Sequence, residues 1–428
     1  MVNRKTFTLL ASLWVGVCTG VATAGNWPRF RGPEGTGHSS ETGVPVSWKL
    51  EDVVWRTPLP GLGQSSPIVW ENRIYLTAAL DGGKERVVLA VDRQSGKILW
   101  QRTFKTGDPG PTHSMNPHAS STCVTDGERV YSFFGNGGFH AHDIEGNHLW
   151  SRTDLGEFLS IWSTAASPIL HKDLAIVCCD QDAVLEKEQH VELPSKAYIL
   201  AVDKRTGKTV WKTTRFGSRG WSTPVPLTTP MGTVELVVNG PGGVFAYDAD
   251  TGKLRWQCDR ETLFGEPTVA YDENTIYAVS GRPGPLLAIR RGGEGNVTNT
   301  HLPWSIPRRT RDLSSPILAD GLLYTAAMNG IGICYDPATG SEIWKERMGG
   351  EFTASPVAAG GLLYFLNRKG ETVVLKPGKS LDIVSRNPLP TGPDEEDFLA
   401  SPALSEGQFF FRSDRAIYAV GERKTSRD

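Results

Sequence analysis

Outside its first two dozen residues this sequence shows no helical periodicity and no low-complexity tract, which argues against a helical bundle and against a long disordered linker. It also lacks an excess of charge of either sign. A formal net charge of −2 over 428 residues gives no electrostatic footprint for nucleic acid. Gly-x-Ser-x-Gly, His-Glu-x-x-His and the phosphate-cradling Gly-x-x-x-x-Gly-Lys-Ser/Thr are all missing, so no hydrolase or nucleotide-binding signature stands out. Cysteines are few, and none has the Cys-x-x-Cys-His spacing of a haem attachment or a zinc-ligand spacing. The longest apolar stretch, Phe7–Val17, is short against the ~20 residues needed to span a bilayer.

That stretch has its own reading. Arg4 and Lys5 precede it and Ala22-Thr23-Ala24 follows, the three parts of a secretory leader. Residues 1–24 are therefore expected to be a signal peptide, with the mature protein periplasmic or secreted and on a membrane only if the leader is retained. The remaining cysteines, Cys123, Cys178, Cys179, Cys258 and Cys334, are odd in number, which leaves at least one unpaired in an oxidising compartment.

What is abundant is turn chemistry and repetition. The 47 glycines and 28 prolines suit an all-β chain with many short connections. Ala-x-Asp-x-x-Thr/Ser-Gly-x-x-x-Trp recurs at Ala90–Trp100, Ala201–Trp211 and Ala246–Trp256, with a further copy at Cys334–Trp344 and a shorter one at Ala141–Trp150. Each copy reads as two antiparallel strands and their turn. The Asp accepts from nearby backbone, the Gly supplies positive φ, and the Trp offers a flat face to a neighbouring unit. Repeats of this size mean stacked or circular arrays.

Two strands precede each copy. Six first strands open with Ser or Thr before Pro, at Ser66, Ser167, Thr223, Ser315, Ser355 and Ser401; weaker openings stand at Ser121-Thr122 and Glu266-Pro267. That makes eight. Fourth-strand positions also number eight: Trp55, Trp100, Trp150, Trp211, Trp256, Trp304, Trp344 and a degenerate one near Val384. Trp55 precedes the first opening, whereas the last opening leads only to Arg415–Val420. The two incomplete ends complement each other, so the expected fold is an eight-bladed β-propeller of four-stranded antiparallel blades, closed by Asp52–Thr57. The expected layout is an N-terminal extension over 25–51, the propeller over 52–422 and a tail over 423–428.

These repeats resemble the tryptophan-docking repeats of the pyrroloquinoline quinone (PQQ) enzymes, the quinoprotein alcohol dehydrogenases. The likeness is closer to exported PQQ-binding-like β-propeller repeat proteins. It is carried by Asn26–Pro33 (NWPRFRGP), Ser65–Thr77, His113–Thr122 (HSMNPHASST), Ser167–Val177 and Phe398–Pro402. The chain is similar as well to the outer-membrane barrel-assembly propeller lipoprotein, a non-enzymatic scaffold, so the repeat alone implies no cofactor. For the dehydrogenases the resemblance implies PQQ, a Ca²⁺ ion and a vicinal disulfide over the quinone ring. Cys178-Cys179 could form such a lid, or could be two buried positions of one strand. No Glu/Asn/Asp ligand set for Ca²⁺ is legible.

Strand order adds one deduction. In a four-stranded blade the turns between second and third strands share a face with the links between blades, here called the link face; the Asp-Gly turns lie on the opposite, turn face. Reading the link face along the chain gives His113, Asn116, His118, Trp162, Arg219, Trp221, Arg282, Arg308, Arg309, Arg311, Arg368, Arg412 and Arg415. Its guanidinium groups suggest a site for carboxylate, phosphate or sulfate groups, with Glu351, Glu395, Glu396 and Asp397 neutralising part of the charge. The long polar insertion Asp180–Lys196 shares that face. His113, His118, His140, His142 and His148 cluster in sequence, and ordinary surface histidines are the expectation. The reading of the whole is a non-catalytic exported propeller, without a resident cofactor or metal, that binds a protein or an anionic small molecule. The alternative is a PQQ- and Ca²⁺-dependent periplasmic alcohol or sugar dehydrogenase.

Overall fold

The computed structural model describes residues 25–158, 160, 162–181, 196–216, 220–308, 310–393 and 395–422. The leader, most of the polar insertion, Arg219, Arg309 and the tail lie outside the described residues. Eight antiparallel sheets follow one another along the chain, with only short 3-10 turns between some strands. Blade 1 contains Ile68–Trp70, Arg73–Leu80, Glu85–Asp92 and Ile98–Lys105, and blades 2 to 7 repeat that order. Blade 8 takes Ala403–Ser405, Gln408–Arg412 and Ala416–Val420 from the C-terminal end and its outer strand, Val53–Pro58, from the N-terminal end.

That outer strand closes the ring as expected. Val53 stands opposite Val420, Trp55 opposite Ala419 and Pro58 opposite Ala416, with a register shift between Val53 and Trp55. Burial follows strand position. Middle strands such as Gln408–Arg412 and Ala416–Val420 are buried at every residue, because each blade face packs on a neighbour. In Ile98–Lys105 of blade 1 Trp100 alone is buried.

The repeated Trp, Asp and Gly act together. Asp92, Asp203 and Asp248 each accept backbone N–H bonds three residues on, at 2.7–2.9 Å. The Trp of one blade then lies over the turn of the next and donates to a carbonyl there: Trp55 to Arg93, Trp100 to Ile144, Trp150 to Lys204, Trp211 to Ala249, Trp304 to Pro337 and Trp344 to Gly378, at 2.9–3.2 Å. Trp100, Trp211, Trp256 and Trp344 are 8%, 8%, 1% and 8% exposed. The turn glycine is required twice over. Gly252 has φ +72°, and a Cβ there would stand 2.4 Å from the Trp211 ring.

Two interfaces break the pattern. Blade 5 has no short Asp-Gly turn; the chain between Arg290 and Trp304 swings out, and Gly295–Asn296 pairs in parallel with Trp256-Gln257 as a fifth strand of blade 4. Trp256 accordingly donates to Glu235 of its own blade. In blade 7 the outer-strand position opposite Val374 of the third strand belongs to Ser385, not Val384, so no repeat Trp reaches blade 8. Trp48 of the extension fills that gap. It is 3% exposed, its backbone N–H donates to Asn387 Oδ1 and its ring packs on Phe409 and Phe411 of blade 8.

The rest of the extension straps the turn face. Trp27 pairs with Val69 of blade 1, His38 and Ser39 meet blades 6 and 7, and Glu41 accepts from Glu406 and Gly407 of blade 8. Between these ties Phe30 and Arg31 enter the ring axis, where Arg31 is fully buried and donates to Pro316 O.

Cys178 and Cys179 are free thiols. Successive strand residues point to opposite faces. Cys178 therefore packs toward blade 4 beside Tyr247, and Cys179 toward blade 2 beside Tyr131 and Trp150. Burial pushes the Cys178 thiol up to about 12.

Candidate functional site

The inner strands begin at a hydroxyl ring. Backbone N–H groups of Ser66, Thr122, Ser167, Thr268, Ser315, Ser355 and Ser401 each donate to the Ser or Thr hydroxyl at the same position of the next blade, at 2.8–3.1 Å, and Ser401 donates to Ser66 to close the circle. Blade 4 is tied to blade 5 instead by the Trp221 and Ser222 N–H groups, which donate to Gly265 O. This ring corrects one opening: the blade 5 position is Thr268, two residues after Glu266, because the inner strand starts at Ala270.

Above the ring a funnel of about 930 Å³, its open mouth included, leads to the link face, with Phe30 of the extension at its base. Its wall carries Asn116, Trp162, Trp221, Glu266, Arg282 and Arg311. The connection after blade 2 supplies Trp162. His113 stacks against it with ring centroids 3.9 Å apart, and Asn116 Nδ2 donates to its carbonyl. Trp221 is held by Nε1 donation to Ser163 O at 2.9 Å. Arg282 Cζ lies 5.1 Å from the Trp162 ring centroid and 4.7 Å from that of Phe264, and Arg311 Cζ lies 6.0 Å from Trp162. Among the described residues neither guanidinium has an ion pair or hydrogen bond. Burial and the like charge of Arg311 lower the pKa of Arg282. His113 is lowered by burial and by both arginines. Beneath them Glu266 is half-buried, and its Oε2 has no partner among the described residues. Burial raises its carboxyl to about 7 against the opposing pull of Arg282, Arg260 and Arg311.

The structure thus divides the expected arginine face. Arg282 and Arg311 converge in the funnel. Arg308 is buried in an ion pair with Asp312 at 2.9 Å, and Arg368 makes a bidentate bond to Asp397 at 2.7 Å with Glu351 beyond. Arg412 is buried with its Nη1 on Ser65 O. These three hold blades together and do not face a ligand. The acidic residues of that face do neutralise their neighbours, as Glu396 does for Arg56 at 2.5 Å.

Of the five clustered histidines His148 is exposed as expected and His113 is partly buried, but the other three are not surface groups. His118 is buried beside Arg86, and His140 and His142 are buried between blades 1 and 2. His140 stacks on Phe104 with centroids 4.1 Å apart, and His142 and His148 lie 5.7 Å apart. Their burial reflects the pattern of alternation, which places His140 and His142 together on one face. Among the described residues no group of three or more His, Cys, Asp or Glu side chains is placed to hold a metal ion. Glu266 was invisible as a site residue in the sequence, where it reads as part of a strand opening.

A quinoprotein would need to hold a tricarboxylate quinone and a Ca²⁺ ion in such a funnel. Paired guanidinium groups suit the carboxylates of a tricarboxylate quinone. A Ca²⁺ ion takes six to eight oxygen ligands, several of them carboxylate. Among the described residues the funnel wall holds one carboxyl, Glu266, which does not fit that requirement.

A family model described as outer membrane protein assembly factor BamB matches residues 41–181, 195–297 and 300–378. Among curated relatives, the tetrathionate hydrolase of Acidithiobacillus ferrooxidans is 22% identical over 75% of this chain and 66% of its own length. The BamB of Yersinia pestis is 23% identical over 57% of this chain and 60% of its own. The chain thus spans less than two thirds of either relative. Among solved structures, BamB from Moraxella catarrhalis superposes with a TM-score of 0.55 at 17% identity, covering 87% of this chain and all of that one. The quinohemoprotein alcohol dehydrogenase of Comamonas testosteroni gives 0.65 at 14% identity, over 95% of this chain and 83% of its own, a likeness of fold. The matched blades, the docking tryptophans and the family model agree, and the chain belongs to the BamB family of PQQ-like β-propellers.

Proposed function

We propose that the protein is an exported, non-catalytic binding propeller that takes an anionic group into its axial funnel. The observation that carries this reading is the pair Arg282 and Arg311, held against Trp162 and Phe264 and left without an acidic hydrogen-bond partner among the described residues. Guanidinium groups fixed in this way lose little freedom on meeting a carboxylate or another oxoanion. Export rests on the leader-like residues 1–24. One curated relative and the matching family model are named for an assembly factor, which agrees with a binding role and with a protein as the bearer of the anionic group. The name of a third, tetrathionate hydrolase, points to an anion.

The test is calorimetric titration of the purified protein with citrate and with tetrathionate. At least one is expected to bind, and Arg282→Ala or Arg311→Ala should weaken it by about tenfold or more, the size expected for a lost charge-assisted hydrogen bond. Unchanged binding in both variants would reject the funnel as the site.

A quinoprotein dehydrogenase is the second reading, favoured by the overall fold and by the suitability of the two arginines for a quinone's carboxylates. Reconstitution with PQQ and Ca²⁺ followed by dye-linked alcohol oxidation separates the two. Turnover would displace the binding reading, and quinone binding without turnover would retain it.

A further inference from the structure

Resting on the anion-binding reading, we infer that the funnel's ligand is a sugar acid, a carboxylate carried on a polyhydroxylated ring. The walls of the funnel ask for more than charge. Arg282 and Arg311 provide for the carboxylate, but Glu266 stands in the same wall without a hydrogen bond to either. A carboxyl left beside two cations has acceptor capacity to offer, which a hydroxyl can use and a bare oxoanion cannot. Two guanidinium groups against one carboxyl leave the wall net positive, which favours a ligand that keeps its negative charge over a zwitterion.

The floor adds donors. Ser66, Ser315, Ser355 and Ser401 line the funnel while accepting the N–H of the preceding blade. Each hydroxyl keeps its own proton to donate to a ligand oxygen. A floor of hydroxyls suits a polyol and is poorly matched to an alkyl chain, whose burial there would leave those groups unpaired. The Trp221 ring, held by its bond to Ser163 O, supplies a flat apolar face for the C–H side of a pyranose.

The experiment titrates the full chain with three probes: galacturonate, galactose, which lacks the carboxylate, and adipate, which lacks the hydroxyls. Galacturonate should bind with galactose and adipate each about tenfold weaker or worse. Glu266→Gln should weaken galacturonate and leave adipate unchanged, whereas Arg282→Ala should weaken both acids. Thermal melts of each variant establish that it is folded. Adipate binding as tightly as galacturonate would overturn the sugar-acid assignment while leaving an anion-binding funnel. Galactose binding as tightly as galacturonate would overturn both, because the arginines would then contribute nothing. Absence of galacturonate binding overturns the assignment outright, and the citrate and tetrathionate titrations then decide the broader reading.

Discussion

Single residues in this ring carry two kinds of strain: groups buried beside charge and glycines under tryptophans. Glu266 is the first kind. Its carboxyl is raised from 4.5 to about 7 by burial, so the folded state holds its proton more tightly than the unfolded chain. By linkage the resulting stability is fully present below pH 4.5 and is lost as the pH rises through 7. Glu266→Gln removes that slope. Urea midpoints should show the variant gaining on the parent between pH 5 and pH 8. A constant offset over that range would mean that Glu266 ionises freely. None of this was legible in the sequence, because only Arg260 shares the connection that holds Glu266, while Arg282 and Arg311, the other charges that face it, stand 16 and 45 residues away in other loops. The arginine face shows the converse limit. Chain order placed Arg308 and Arg368 correctly on the link face, but only tertiary structure reveals that Asp312 and Asp397 occupy them.

At the scale of elements, the blade is a strand quartet whose outer Trp belongs as much to the next blade as to its own. That relation was legible from the motif, since the Trp and the turn Gly keep a constant spacing: Trp100 covers Gly146, Trp150 covers Gly207 and Trp211 covers Gly252. The substitute at blade 7 was not legible. Ser385 occupies the repeat position, and Trp48, more than 300 residues earlier, supplies the missing ring from outside the blade. Trp48→Ala should therefore cost about 3–5 kcal/mol, the range for removing a buried large aromatic from a core. Denaturant unfolding measures the loss directly. A cost below about 1 kcal/mol would mean that Phe409 and Phe411 close the gap unaided. Leu99, Leu149 and Val210, which also lie on outer strands, are 42–53% exposed, so truncating them should change stability little.

At the scale of the whole molecule the N-terminal segment does two separable jobs. Residues 25–44 strap the turn face and place Phe30 and Arg31 in the axis, tied to blades 1, 6, 7 and 8. Residues 53–58 are a strand, and their pairing with Ala416–Val420 is what turns an open row of blades into a ring. Two deletions distinguish these roles. Removing Gly25–Val44 takes away the strap but leaves Trp48, Trp55 and the closing strand, so the ring should persist with reduced stability. Removing Gly25–Arg56 exposes the edge of Ala416–Val420 and the apolar face that Trp55 covers against blade 1, where its ring lies over Gly96. An uncovered edge strand with an apolar face is a template for association between chains. Hydrogen exchange reads the difference. The amides of Ala416–Val420 should stay protected in the shorter deletion and lose protection in the longer one, which should also aggregate at concentrations the parent tolerates. Equal protection in both would show that the inner three strands of blade 8 hold without their outer partner, and the closure by Val53–Pro58 would then be a consequence of the ring and not its cause.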